Sequence, residues 1–98
     1  MTRRGTTNSN ARGSSSDRLA RRRWLVEKFR ANEDCGGGHA PIQPACRCYR
    51  CGQLLTVQTV TVDRIIPGCQ GGTYRRNNIR PACGHCNSET GAVLRSVA

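Results

Sequence analysis

The sequence is short of almost everything from which a hydrophobic core is built. Its 98 residues include four aromatics (Trp24, Phe29, Tyr49 and Tyr74), one methionine and one lysine, Lys28. No apolar run approaches the roughly 20 residues of a membrane span, so no membrane partner is expected. Residues 1–10 are polar and lack the apolar centre of a secretory signal. Acidic residues number 6 against 16 basic ones. A chain of this size has room for one small domain, which buries too little apolar surface to be stable without a staple.

Cysteine is what the sequence has in plenty. Seven thiols are an awkward number for a closed disulfide framework, and they point to a reducing compartment and thiolate–metal ligation. The second excess is positive charge. The formal net charge is +10, and arginine supplies 15 of the 16 bases. Codon bias accounts for the ratio of Arg to Lys but not for the excess of charge. Guanidinium grips phosphate through two parallel hydrogen bonds, so the composition favours a polyanionic partner.

Composition divides the chain into four pieces. Residues 1–15, rich in Ser, Thr, Gly, Asn and Arg, have almost nothing to bury and are expected to be a disordered basic arm that tethers nucleic acid non-specifically. Residues 16–31 read as a basic helix, capped by Ser16 or Asp17. Leu19, Val26 and Phe29 share one stripe of it with Leu25 close by, and Arg21, Arg22 and Arg23 lie between as candidate nucleic-acid contacts. Gly36, Gly37, Gly38, Pro41 and Pro44 make residues 32–45 a predicted loop. Residues 46–98 carry the chemistry. Within them Thr56 to Ile66 is β-branched and roughly alternating, hence a strand or hairpin arm ended by Pro67-Gly68. Asn78 to Pro81 reads as a short returning strand, and Gly84 to Arg95 as a short helix weakened by Gly91.

Cys48-Tyr49-Arg50-Cys51 and Cys83-Gly84-His85-Cys86 are two C-x2-C knuckles with 31 residues between them. Each knuckle holds two thiolates on one side of a tight turn, and two knuckles complete a tetrahedral zinc site. Four thiolates leave no position open for substrate, so the zinc is structural. Cys46 competes with Cys48 for this role, and spacing favours Cys48. Cys35 and Cys69 are left over with Cys46, as free thiols or, for Cys35 with His39, as part of a second site.

Between the knuckles the order of residues is itself a pattern. Val62-Asp63-Arg64-Ile65-Ile66-Pro67 is followed after three residues by Gly71-Gly72, after five more by Asn78, and after four more by Cys83, with Asn87 directly after the last cysteine and Gly91 closing the run. From Cys48 to Gly91 the chain resembles the zinc-knuckle HNH nucleases. The resemblance implies a small α+β fold: a ββα-metal finger stapled by the four-cysteine zinc site, preceded here by the basic helix and arm. It implies a metal-dependent endonuclease that hydrolyses DNA. Asp63 resembles the carboxylate ligand of a catalytic Mg²⁺ or Mn²⁺, Asn87 resembles the helix ligand opposite, and Asn78 resembles the Asn that ties down the loop and orients the base. A hard cation wants such oxygen donors and keeps positions open for phosphate and water.

One residue departs from the family. The general base is the His after the metal-binding Asp, and here that position is Arg64, which stays protonated and accepts no proton. Arg64 is then a clamp on phosphate. For the base, Tyr74 ranks first, a metal-bound hydroxide second and His39 third. His85 lies two residues before Asn87, about 200° away around a helix, and should not face the same phosphate. Arg75, Arg76 and Arg80 are candidate backbone contacts. The rival reading is a catalytically degenerate zinc-containing DNA-binding module, with a protein-interaction module a weaker rival. The family background suggests a phage-borne chain acting in the bacterial cytoplasm, with packaging or other phage proteins as partners.

Overall fold

The computed structural model describes residues 13–89. The basic arm up to residue 12 and the end of the helix expected to run to Arg95 lie outside the described residues.

Helix α1 spans Ser15–Lys28. Its cap is Ser14 rather than Ser16 or Asp17. The Ser14 hydroxyl accepts from the Asp17 N–H at 3.2 Å, and the Asp17 carboxylate accepts from the Ser14 N–H at 3.1 Å. This reciprocal box satisfies two donors that the first turn would otherwise leave unpaired. Ser14→Ala is expected to lower stability by about 1 kcal/mol, read as a shift of the urea midpoint without a change in slope. The helix stops at Phe29, where the backbone leaves helical angles, and Arg30 turns into a β-bridge with Cys46.

The segment expected as a loop contains a small hairpin, β1 (Cys35–Gly37) paired antiparallel with β2 (Ala40–Gln43). Gly36, Gly37 and Gly38 all adopt positive φ. The glycines expected only to break the chain therefore provide the reversal of this hairpin. At Gly36 a side chain would in addition collide with the Pro41 carbonyl.

A second hairpin, β3 (Cys46–Arg47) with β4 (Leu54–Leu55), encloses the first cysteine knuckle. The third pairs β5 (Thr61–Arg64) with β6 (Ile79–Ala82), in the register Thr61 with Ala82, Val62 with Pro81, Asp63 with Arg80 and Arg64 with Ile79. Residues 84–89 are helical and form the described part of α2. Strand β5, the turns around Gly68–Gln70 and Arg76–Asn78, β6 and α2 make up the expected ββα finger. No helix among the described residues is long and apolar enough to cross a membrane.

The core forms where α1 lies across the hairpins. Leu25 and Val26 pack with Leu55, Val60, Ile79 and Ala82, and four of the ten core residues are cysteines: Cys46, Cys48, Cys83 and Cys86. Burying Leu25 completely contributes about 1.5–3 kcal/mol. With so few such side chains, the thiols must supply much of what holds the domain together.

Candidate active site and metal centre

The two knuckles meet. One ligand atom each from Cys48, Cys51, Cys83 and Cys86 lies within 4.8 Å of all the others. Sulfurs bound tetrahedrally at about 2.3 Å stand about 3.8 Å apart. The Cys51 and Cys83 sulfurs are 3.8 Å apart, so the donors fit zinc in both chemistry and spacing. The Arg50 and Cys86 N–H groups donate to the sulfurs of Cys48 and Cys83, each at 3.4 Å, as thiolates require. Burial pushes the Cys48 thiol up, but the surrounding donors outweigh it and hold the group down at about 6. Cys86 is pushed up to about 12 by burial and by the neighbouring sulfurs. Four thiolates gathered this closely repel one another. A bound divalent ion removes that conflict.

Cys46, the sequence competitor, is outside the cluster. It is fully buried on β3, and burial pushes its thiol up to about 11, so it is a small core hydrophobe. Cys35 and Cys69 join no metal-binding group among the described residues.

The knuckles also grip the finger. The Tyr49 N–H donates to the Pro81 carbonyl at 2.9 Å, tying the first knuckle to β6. The Tyr49 ring lies 3.7 Å from the Arg80 guanidinium carbon, and Arg80 Nε donates to Asp63 Oδ2 at 2.7 Å. Residues directly opposite in an antiparallel pair project to one face, which brings Asp63 and Arg80 together from strands 17 residues apart. Asp63 is 4 % exposed, and removing the guanidinium would leave a buried unpaired charge.

Asn78 is the clamp of the β5–β6 connection. Its side-chain oxygen accepts from the Ile66 N–H at 2.8 Å. Its amide nitrogen donates to the Ile66 carbonyl at 3.0 Å and to the Thr73 carbonyl at 2.8 Å. Gly72 passes beneath this clamp so closely that a Cβ there would sit 1.6 Å from the Ile66 oxygen.

Asn87, on α2, donates to the Thr61 hydroxyl at 3.1 Å. It lines a cleft of about 260 Å³ with Val60, Thr61, Val62, Tyr74 and three arginines of α1: Arg18, Arg21 and Arg22. Arg22 Nε also donates to the Val57 carbonyl at 3.1 Å, fastening the helix to the finger. The Tyr74 ring carries two guanidiniums, Arg64 at 4.3 Å and Arg21 at 4.8 Å. Gly68 leaves room for the Arg64 head group, since a Cβ there would lie 2.8 Å from it.

The predicted residues thus do not all meet at one place. Asn87, Tyr74, Arg21 and Arg22 line the cleft, with Arg64 against Tyr74. Asp63 and Arg80 form an ion pair on the finger, whereas the Asn87 amide bonds Thr61, two residues before Asp63 on β5. Their donor types suit a hard cation, although Arg80 already neutralises the carboxylate. Arg23 and Arg75 are exposed, and Arg76 lies over the Trp24 ring at 5.3 Å. His39 sits exposed in the β1–β2 turn, and His85 pairs with Glu89 at 3.2 Å. Sequence reasoning missed Arg18, Thr61 and the platform role of Tyr49. The signal for Arg18 was present: positions 18, 21 and 22 share one face of a helix.

The sequence profile of the HNH endonuclease family matches residues 48–96, half of the chain. The chain belongs to the HNH endonuclease family. No curated protein sequence matches it.

Proposed function

We propose that the chain is a metal-dependent endonuclease that hydrolyses DNA phosphodiester bonds. The observation that carries this reading is the cleft beside β5, where Asn87 of the finger faces three arginines of α1. A polyanion drawn into it would lie next to the strand that holds Asp63. Asp63 and Asn87 are the residues that would hold a hard divalent cation, with Asp63 exchanging its contact to Arg80. Such an ion, when bound, neutralises charge on the scissile phosphate and on the departing oxygen. Arg64, fixed on Tyr74, orients phosphate and takes no proton. Among the described residues Tyr74 is the one cleft side chain whose chemistry allows it to serve as the base. By family background the setting is the bacterial cytoplasm and a phage-borne gene, with phage proteins as further partners.

Plasmid nicking with Mg²⁺ or Mn²⁺ tests the reading. Asp63→Asn, which keeps the shape of the side chain, is expected to slow cleavage by on the order of 10²–10³-fold with folding intact. Equal cleavage by both proteins removes Asp63 from the mechanism. Arg64→His should raise the rate if position 64 is where a base belongs.

Two features favour a second reading, a DNA-binding module that no longer cuts. Asp63 is engaged by Arg80, and neither a histidine nor a carboxylate lines the cleft among the described residues. This reading expects salt-sensitive DNA binding without added Mg²⁺ and no nicking with any metal.

A further inference from the structure

We infer that the cleft between α1 and α2 is a track for the sugar–phosphate backbone of one strand of duplex DNA, read without regard to sequence. The inference rests on DNA being the substrate and adds where the duplex lies and which residues bind it. Arg18, Arg21 and Arg22 stand at i, i+3 and i+4 on α1 and line the same wall. No acidic side chain lines the cleft among the described residues. The Tyr74 ring, within 5 Å of both Arg21 and Arg64, holds two guanidiniums less than about 10 Å apart although they come from separate elements. Guanidiniums gathered this closely present several donors to one row of phosphates.

The same ring separates duplex from single strand. Proteins that hold single strands stack successive bases on open aromatic faces. Tyr74 is the only aromatic lining the cleft among the described residues, and guanidiniums already cover it. Guanidinium contacts to backbone phosphates carry affinity and register but no sequence information.

The test is the salt dependence of binding by the full chain to a labelled duplex of random sequence, without added Mg²⁺. Arg18→Gln/Arg21→Gln is compared with Lys28→Gln/Arg30→Gln. The second pair removes the same charge from the far end of α1, at Lys28, about 15 Å along the helix from Arg18, and from Arg30 just beyond it. The cleft variant should reduce the slope of log K against log salt by about 2 and bind on the order of tens of times more weakly at 0.1 M salt. The control should keep the wild-type slope. Arg18→Lys/Arg21→Lys should restore most of the slope, which a misfolded protein could not do. Thermal melts of each variant, and the single substitution Arg18→Gln with an expected slope change of about 1, guard against damage to the Tyr74 stack. An unchanged slope in the cleft variant, an equal loss in the control, or tighter binding of single-stranded DNA or of RNA overturns the track. Absence of nicking by a wild-type chain whose slope still depends on Arg18 and Arg21 refutes the nuclease reading and supports the track. Nicking that proceeds with a slope indifferent to both residues does the reverse.

Discussion

Depriving the four-cysteine cluster of a bound metal, zinc by its donor set, is expected to unfold the domain outright. A Cys83→Ser chain, or the wild type exposed to a strong zinc chelator, should lose its cooperative melt and bind less than one equivalent of zinc. The magnitude follows from the core. Cys48, Cys83 and Cys86 are core residues as well as members of the four-thiol cluster that could hold the metal. Structural zinc in small domains contributes on the order of 10 kcal/mol, comparable to the whole stability of a chain this size. Cys46→Ala is the control. Cys46 is buried next to the cluster but outside it, so the variant should keep full zinc stoichiometry and lose only packing energy. Loss of zinc from Cys46→Ala would reassign the fourth ligand. Substituted Co²⁺ should show the visible bands of a tetrahedral thiolate site in the wild type and in Cys46→Ala alike.

The second large effect should come from the clamp beneath β5. Asn78→Ala removes one acceptor and two donated bonds at once, and leaves the Ile66 N–H, the Ile66 carbonyl and the Thr73 carbonyl to find new partners. At about 1 kcal/mol for each ordinary bond, and more where a buried group stays unpaired, the cost is about 3–5 kcal/mol. Gly72→Ala should be comparable, because the new methyl would overlap backbone rather than a side chain that could swing aside. Chemical denaturation reads both. If either variant melts like the wild type, the connection is held by something other than this clamp. Asn78→Asp separates hydrogen bonding from shape. It keeps the acceptor for Ile66 N–H but replaces the amide donor with an oxygen facing two carbonyls, so it should recover little.

These elements differ in how far the sequence discloses them. The knuckles and the returning strand were legible because each depends on local spacing, and a thiolate pair or a Gly pair leaves few conformations open. Of the strand expected over Thr56 to Ile66 only Thr61–Arg64 forms, because the chain turns at 57–59 with the Thr59 and Val60 N–H groups bonded to the Thr56 carbonyl. The preference for Cys48 over Cys46 followed from turn geometry, and the cluster agrees with it. The docking of α1 was not legible. A hydrophobic stripe tells which face of a helix is buried but not against what, so the placement of Arg21 and Arg22 beside Asn87 depended on tertiary packing. The hairpin at 35–43 was hidden for another reason. A run of glycines signals a break, and the same freedom of φ that breaks a helix also makes a tight reversal. The Asp63–Arg80 pair lies in between, since both residues are evident in the sequence and only the register shows that they meet.

The contact between Tyr49 and Arg80 has a practical side. A residue of the first knuckle supports the guanidinium that grips Asp63, so stripping the structural ion should also loosen the carboxylate. A chelator that abolishes nicking is therefore no proof of a second, reactive ion, since it would act at a distance by melting the support. Only restoring one metal at a time, magnesium onto a zinc-replete chain and then onto a zinc-free one, would tell the scaffold's ion from the chemistry's.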